Sequence, residues 1–192
     1  MPKIQFDRQD VLNKATSLFW REGYSATSMQ ALFEVTGLKP GSVYLAFGNK
    51  EGLFKESIDF YGKKSIESLQ ARLSNDQTIE YGICELLLSL VDESTQTGYC
   101  SCFLLKSQLE LDNQAPLKQH ISEYLLNIEN IYSTRLATIY GAEEAKQKAA
   151  SIMVHIFGIR VYGYHTNSKE QILSSLKLGL NWLPWSQLYQ FD

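Results

Sequence analysis

The chain has 192 residues, 44% hydrophobic and 20% charged, with a formal net charge of -3. That much apolar material can fill one large or two small cores, which excludes a disordered chain. No apolar run approaches the ~18 residues of a bilayer-spanning helix, and MPKIQFDRQD at the start has no signal-peptide core, so a cytoplasmic location without a membrane partner is expected. Three cysteines, Cys84, Cys100 and Cys102, are too few and wrongly spaced for a disulfide framework. The C-x-C pair lacks the second Cys/His cluster that a metal site needs, so neither a metal nor a cofactor is expected. Charge is uneven: residues 1–72 carry ten Lys/Arg against eight Asp/Glu, and residues 73–192 carry eight against thirteen. The N-terminal part is therefore mildly basic.

A first helix is predicted over 6–23. Asp7 can cap it, Asp10 sits in the first turn, and Phe6 and Val11 hold the positions of a hydrophobic staple. Val11, Ala15, Leu18 and Phe19 make its inward stripe, and Gly23 ends it. The next stretch, Thr27 to Lys50, reads TSMQALFEVTGLKPGSVYLAFGNK. Thr27 and Gln30 have capping-box spacing, so a helix can begin at Ser28. Met29, Leu32, Phe33 and Thr36 make one face, and Gly37 suits the left-handed turn that closes it. Pro40 fits the first turn of another helix, which buries Val43 and Phe47. Two short helices around a Gly-containing turn form a helix-turn-helix pattern, whose second helix enters the DNA major groove.

Gly37, Leu38, Gly41, Val43, Tyr44, Phe47, Lys50, Glu51 and Leu53 occupy nine constrained positions within GLKPGSVYLAFGNKEGL. On these residues the chain resembles the TetR/AcrR transcriptional regulators. The resemblance is strong over the first quarter of the chain and rests on length and helical pattern beyond it. It implies an all-α fold of about nine helices, with a three-helix DNA-binding domain at 1–48. A helical regulatory and dimerisation domain at 49–192 would be joined to it by a helix over 49–73. It also implies a transcriptional regulator rather than an enzyme, most often a repressor that binds a palindromic operator as a homodimer and is released by a small ligand.

Candidate DNA contacts are Thr27, Ser28, Lys39, Pro40, Gly41, Ser42, Tyr44 and Lys50. Thr27 reads either as a helix cap or as a phosphate contact at a helix start. In the resembled family the positions of Tyr44 and Lys50 also bind phosphate. Ser42 can hydrogen-bond a base, Pro40 can touch a thymine methyl, and Gly41 permits close approach. Two positions depart from the family pattern. Phe33 stands where Ala is usual, so its ring must alter the helix packing or turn outward. Ala46 replaces His or Tyr and removes one phosphate contact.

Beyond the connecting helix, a polar loop at 74–77 is the expected boundary. Helices follow over about 78–92, 102–111, 116–139 and 142–164, and a last one, capped by Ser168, ends near Trp182. The final two are apolar on more than one side. Ile152, Ile156, Ile159, Leu173, Leu176 and Leu180 are therefore expected at a homodimer interface, with Gly179 permitting close approach. The resemblance also implies a four-helix bundle from these helices of two copies. It places the ligand, small and apolar or aromatic, in the C-terminal body, where Tyr61, Phe103, Tyr124, Tyr132, Phe157 and Arg160 are candidates. His155 and Arg160 could hold an anion or pair with a carboxylate across the dimer.

Other readings remain open. The segment GYCSCFLL resembles a cysteine motif of the same family, so Cys100 and Cys102 could form a redox or electrophile sensor, or simply pack. A cysteine-based enzyme lacks a recognisable catalytic partner among His120, His155 and His165. The helix-turn-helix could also act through protein contacts without DNA.

Overall fold

Asp7 starts the first helix with its side chain, whose carboxylate accepts the amides of Gln9 at 2.9 Å and Asp10 at 3.2 Å. These are two of the donors that a helix start leaves without partners. The computed structural model describes residues 6–74, 78–111 and 115–186. Among these the chain is all helix with no strand: α1 (Arg8–Glu22), α2 (Met29–Thr36), α3 (Pro40–Phe47), α4 (Lys50–Arg72), α5 (Ile79–Ser94), α6 (Phe103–Glu110), α7 (Ala115–Tyr140), α8 (Ala142–Tyr162) and α9 (Lys169–Gly179). The nine helices match the sequence expectation in number and order. Residues 75–77 of the expected polar boundary loop lie outside the described residues.

Packing gathers the chain into two units. One is Met1–Ser65 with Cys102–Tyr124, the other Ile66–Ser101 with Leu125–Asp192. α4 and α7 each contribute residues to both.

In the first unit α1 lies against α2 and α6. Leu32, Val43, Leu53, Phe54 and Ile58 are fully buried. Phe54 sits among rings, with Phe19 edge-on at 5.0 Å and Phe103 edge-on at 5.7 Å. Such edge-to-face contacts add to area burial.

In the second unit α5 packs on α8 and α9. Its core includes Ile83, Leu87, Tyr132, Leu136, Ile152 and Leu180. A Cβ on Gly179 would stand 2.1 Å from His155 Nε2, so the absence of a side chain lets α9 lie against α8 there.

Three expectations need correction. The cap of α2 is Ser28, whose Oγ accepts the Ala31 amide at 3.1 Å. Thr27 turns inward and donates to the Gly23 carbonyl at 2.6 Å, while Gln30 bonds Glu34 at 2.8 Å, so no Thr27–Gln30 capping box forms. Ser168 holds the N-cap position of α9 but makes no side-chain cap bond, because its backbone is already helical there.

The third correction concerns the proposed dimer residues. Ile152, Ile159, Leu176 and Leu180 are buried in the second unit's own core, and Ile156 and Leu173 pack against it. The sides of α8 and α9 that remain exposed carry Val154, Val161, Tyr162 and Leu178 instead. α8 is apolar on two sides, one of which the chain's own core takes, whereas the exposed side of α9 is polar apart from Leu178.

Candidate nucleic-acid interface

The α2–α3 pair is built by short-range chemistry. Thr36 returns its hydroxyl to the Leu32 carbonyl at 2.6 Å, and Gly37 (φ 70) closes α2 with its amide on the Phe33 carbonyl. A left-handed residue at that position is cheapest as glycine. Leu38 and Lys39 complete the turn, and α3 begins at Pro40 with Lys39 as its N-cap and no side-chain cap bond. Val43 and Phe47 anchor α3 inward. Its opposite side is open to solvent.

Lys39, Pro40 and Gly41 are exposed at the start of α3, and Ser42 is half-buried beside them. Nothing lies within 4 Å of the place a Gly41 Cβ would take. Tyr44 is exposed, with Phe33 edge-on to its ring at 6.0 Å and 72°. Phe33 is half-buried, and its ring on α2 meets that of Tyr44 on α3. Ser28 is exposed at the start of α2, while Thr27 is only 1% exposed. Of the candidates, Ser28, Lys39, Pro40, Gly41 and Tyr44 are exposed and Ser42 is half-buried.

Lys50 stands apart from them. Its ammonium donates to the Ser25 carbonyl at 3.3 Å and lies 4.6 Å over the Tyr24 ring. Burial pulls its pKa below the ordinary lysine value, and the Glu110 carboxylate works against that shift.

Sequence reasoning missed three residues. Leu45, on the solvent side of α3, is 80% exposed. Helical periodicity carries that signal, since Leu45 lies midway between the inward Val43 and Phe47. Arg8 donates to Glu56 from Nη2 at 2.6 Å and Nε at 3.1 Å, reaches the Ala46 carbonyl at 3.3 Å and covers the Phe47 ring at 4.5 Å. Glu110 accepts the Tyr24 amide at 2.9 Å and the Ser25 amide at 2.7 Å, which holds the α1–α2 turn.

The ligand candidates fall in both units. Tyr61 and Phe103 touch edge-on at 5.6 Å, beside Trp20. Tyr124 donates to Asp59 at 2.9 Å, and His120 meets the same carboxylate oxygen at 2.6 Å. Burial and the Asp59 bond push the Tyr124 phenol up to about 12. Tyr132 is core, and Phe157 packs against that core. Arg160 pairs with Glu93 of the same chain at 3.0 Å. His155 spends Nδ1 on the Ser151 carbonyl at 2.7 Å. Cys102 precedes α6 and accepts the Tyr61 hydroxyl at 3.7 Å; Cys100 is likewise half-buried, and Cys84 is fully buried. A groove of about 380 Å³ runs along α8 and α9, lined by Val154, Gly158, Tyr162, Gln171 and Ser175 among others.

Among the described residues no helix is long and apolar enough to cross a membrane. Residues 11–57 match the family model described as bacterial regulatory proteins, tetR family. The HTH-type transcriptional repressor ComR of Escherichia coli (strain K12) is 34% identical over 108 residues, which cover 55% of this chain and 51% of that protein. The HTH-type transcriptional repressor BdcR of the same organism is 29% identical over 112 residues, 58% of this chain and 57% of that protein. The chain spans about half the length of these curated relatives. Among solved structures, a cysteine mutant of the TetR family regulator CifR, complexed with 26bp double-strand operator DNA, superposes with a TM-score of 0.80. Its identity is 24%, with 96% of this chain and 100% of that one covered. A TetR-family regulator from Streptomyces coelicolor gives 0.78 at 17% identity, covering 92% and 95%. At these identities the solved structures share the fold.

Proposed function

We propose that the chain is a transcriptional repressor of the tetR family of bacterial regulatory proteins, whose model residues 11–57 match. It binds a palindromic operator as a homodimer and is released by a small apolar or aromatic molecule. Residues 1–48 do the DNA reading, and residues 49–192 hold the regulatory and dimerising functions. The observation that supports this reading is the α2–α3 pair closed by Gly37, with Ser28, Lys39, Pro40, Gly41 and Tyr44 exposed at its helix starts and along α3. A helix start of small residues such as Pro40, Gly41 and Ser42 allows close approach to a major groove. Dimerisation draws support from the groove and the exposed apolar side chains of α8 and α9. Two copies related by two-fold symmetry present their reading helices to two half-sites.

Binding to the DNA flanking the chain's own gene, measured by fluorescence anisotropy across a salt series, tests the proposal. A specific duplex should bind more tightly than a random one, with affinity falling linearly in log salt. Equal affinity for both, or a monomeric mass by light scattering at micromolar concentration, would overturn it. A second reading, thiol-responsive release, is favoured by the half-buried Cys102 at the start of α6 with the Tyr61 hydroxyl on its sulfur. Thiol modification that leaves the affinity for operator unchanged would remove it.

A further inference from the structure

From Pro40 to Phe47, α3 contains no Arg, Lys, Asn or Gln. Those are the residues that make paired hydrogen bonds to guanine and adenine edges in the major groove. The open side of the helix offers something else. Val43 and Phe47 face inward, and at ~100° per residue Leu45 falls on the opposite side, where its side chain is 80% exposed. Gly41, one turn earlier on the same side, leaves the approach to Leu45 open, since nothing lies within 4 Å of its would-be Cβ. Pro40 is exposed at the leading end, and Tyr44 is exposed beside Leu45 with its ring against Phe33. Leu45 contributes nothing to the core of its own unit. The apolar group that a major groove presents is the C5 methyl of thymine. Lys39 precedes the helix as its N-cap.

We infer that Leu45 is the specificity-determining residue of α3, reading thymine methyls, so that the operator half-site carries A·T pairs beneath it. Pro40 flanks the same contact, and Ser42 and Tyr44 supply hydroxyls at its sides. This inference rests on the DNA-binding reading above.

The test begins by selecting duplexes from a randomised pool with the full chain. Each thymine of the selected half-site is then replaced in turn by deoxyuridine, which keeps the pairing and removes only the methyl. At the thymine beneath Leu45, binding should weaken about fourfold, the factor that burial of one CH₂-sized group supplies. Leu45→Ala should bind the thymine operator about fourfold more weakly and no longer distinguish thymine from deoxyuridine there. Because the side chain is so exposed, this variant should melt at the parent temperature. Wild-type binding that is indifferent to every deoxyuridine, or a selected half-site made of G·C pairs throughout, would overturn the thymine reading while leaving DNA binding intact. Failure to enrich any duplex, even at low salt, would overturn both.

Discussion

Glu110 and Ser25 are 85 positions apart in sequence, yet the Glu110 carboxylate accepts the Ser25 amide at 2.7 Å. Its other oxygen takes the neighbouring Tyr24 amide at 2.9 Å. One carboxylate on α6 thus fixes the turn that leads into α2. Removing it leaves two turn amides without their partner. Glu110→Ala should cost about 2 kcal/mol, since bonds to charged groups are among the stronger ones and this group is partly exposed. A urea midpoint reads the loss. Gly23→Ala should act on the same contact: its Cβ would stand 2.8 Å from Glu110 Oε2, at a backbone φ of 88° that disfavours side chains. The two changes should therefore be less than additive, and full additivity would contradict the shared contact.

Residues of the open surface should separate by role. Ser28→Ala should lose about 1 kcal/mol of stability as a missing helix cap. Lys39→Ala should weaken binding to all duplexes alike and lower the salt slope by about one unit. Ser42→Ala should alter preference among duplexes, and equal effects on specific and random DNA would count against a base contact. Lys50→Ala tests whether an ammonium held by the Ser25 carbonyl and the Tyr24 ring also reaches phosphate. If it does, the salt slope falls as it does for Lys39.

Association should depend on the exposed sides of α8 and α9. Leu178 is 81% and Val154 67% exposed, so Leu178→Asp and Val154→Asp should leave the circular dichroism spectrum unchanged while giving a monomeric mass by light scattering. Ile152→Ala, in contrast, empties core volume and should cost about 2–5 kcal/mol.

Stability should fall steeply in alkali. The Tyr124 and Tyr140 phenols are pushed up to about 12, chiefly by burial and secondarily by their bonds to Asp59 and Glu80. Burial raises Tyr132 as well. The folded state therefore holds these protons more tightly than the unfolded chain, whose phenols titrate near 10. Their contribution is complete below pH 10 and is lost as pH rises toward about 12. Denaturant midpoints should be flat up to pH 9.5 and drop beyond 10. Tyr140→Phe should flatten part of that drop.

The thiols should divide two to one. Burial pushes the Cys84 thiol up to about 12, with Glu80 adding to the shift, and no surface remains for a reagent to reach. Cys100 and Cys102 are half-buried. A disulfide reagent added to native protein should therefore titrate two thiols, and the third only in denaturant. Three equally fast thiols would contradict the packing of α5.

The helices were legible because each short-range signal sits within one turn of its effect. Asp7, Gly37 and Pro40 mark their helix ends in sequence and act there in the fold. Failures came where the deciding partner is remote or where two local solutions compete. Thr27 and Ser28 are both able caps, and the choice falls to Ser28 because the α1–α2 turn brings the Gly23 carbonyl to Thr27. On α8, periodicity finds two apolar sides but does not say which one faces the chain's own core. Glu110 and Arg8 carry no periodic mark, since their partners lie 85 and 48 positions away. Leu45 differs from these. Its exposure follows from its place opposite Val43 and Phe47, a signal that helical periodicity carries in the sequence itself.

The make-up of α3 also bears on how much order DNA binding must impose. Pro40 and Gly41 have no side-chain rotamers to freeze, Ser42 has one heavy-atom torsion, and the Tyr44 ring already rests against Phe33. A reading helix of long basic chains would give up about 1.5–2 kcal/mol for each one immobilised, whereas a leucine gives up about 0.5–1. Docking α3 therefore removes little freedom from the protein.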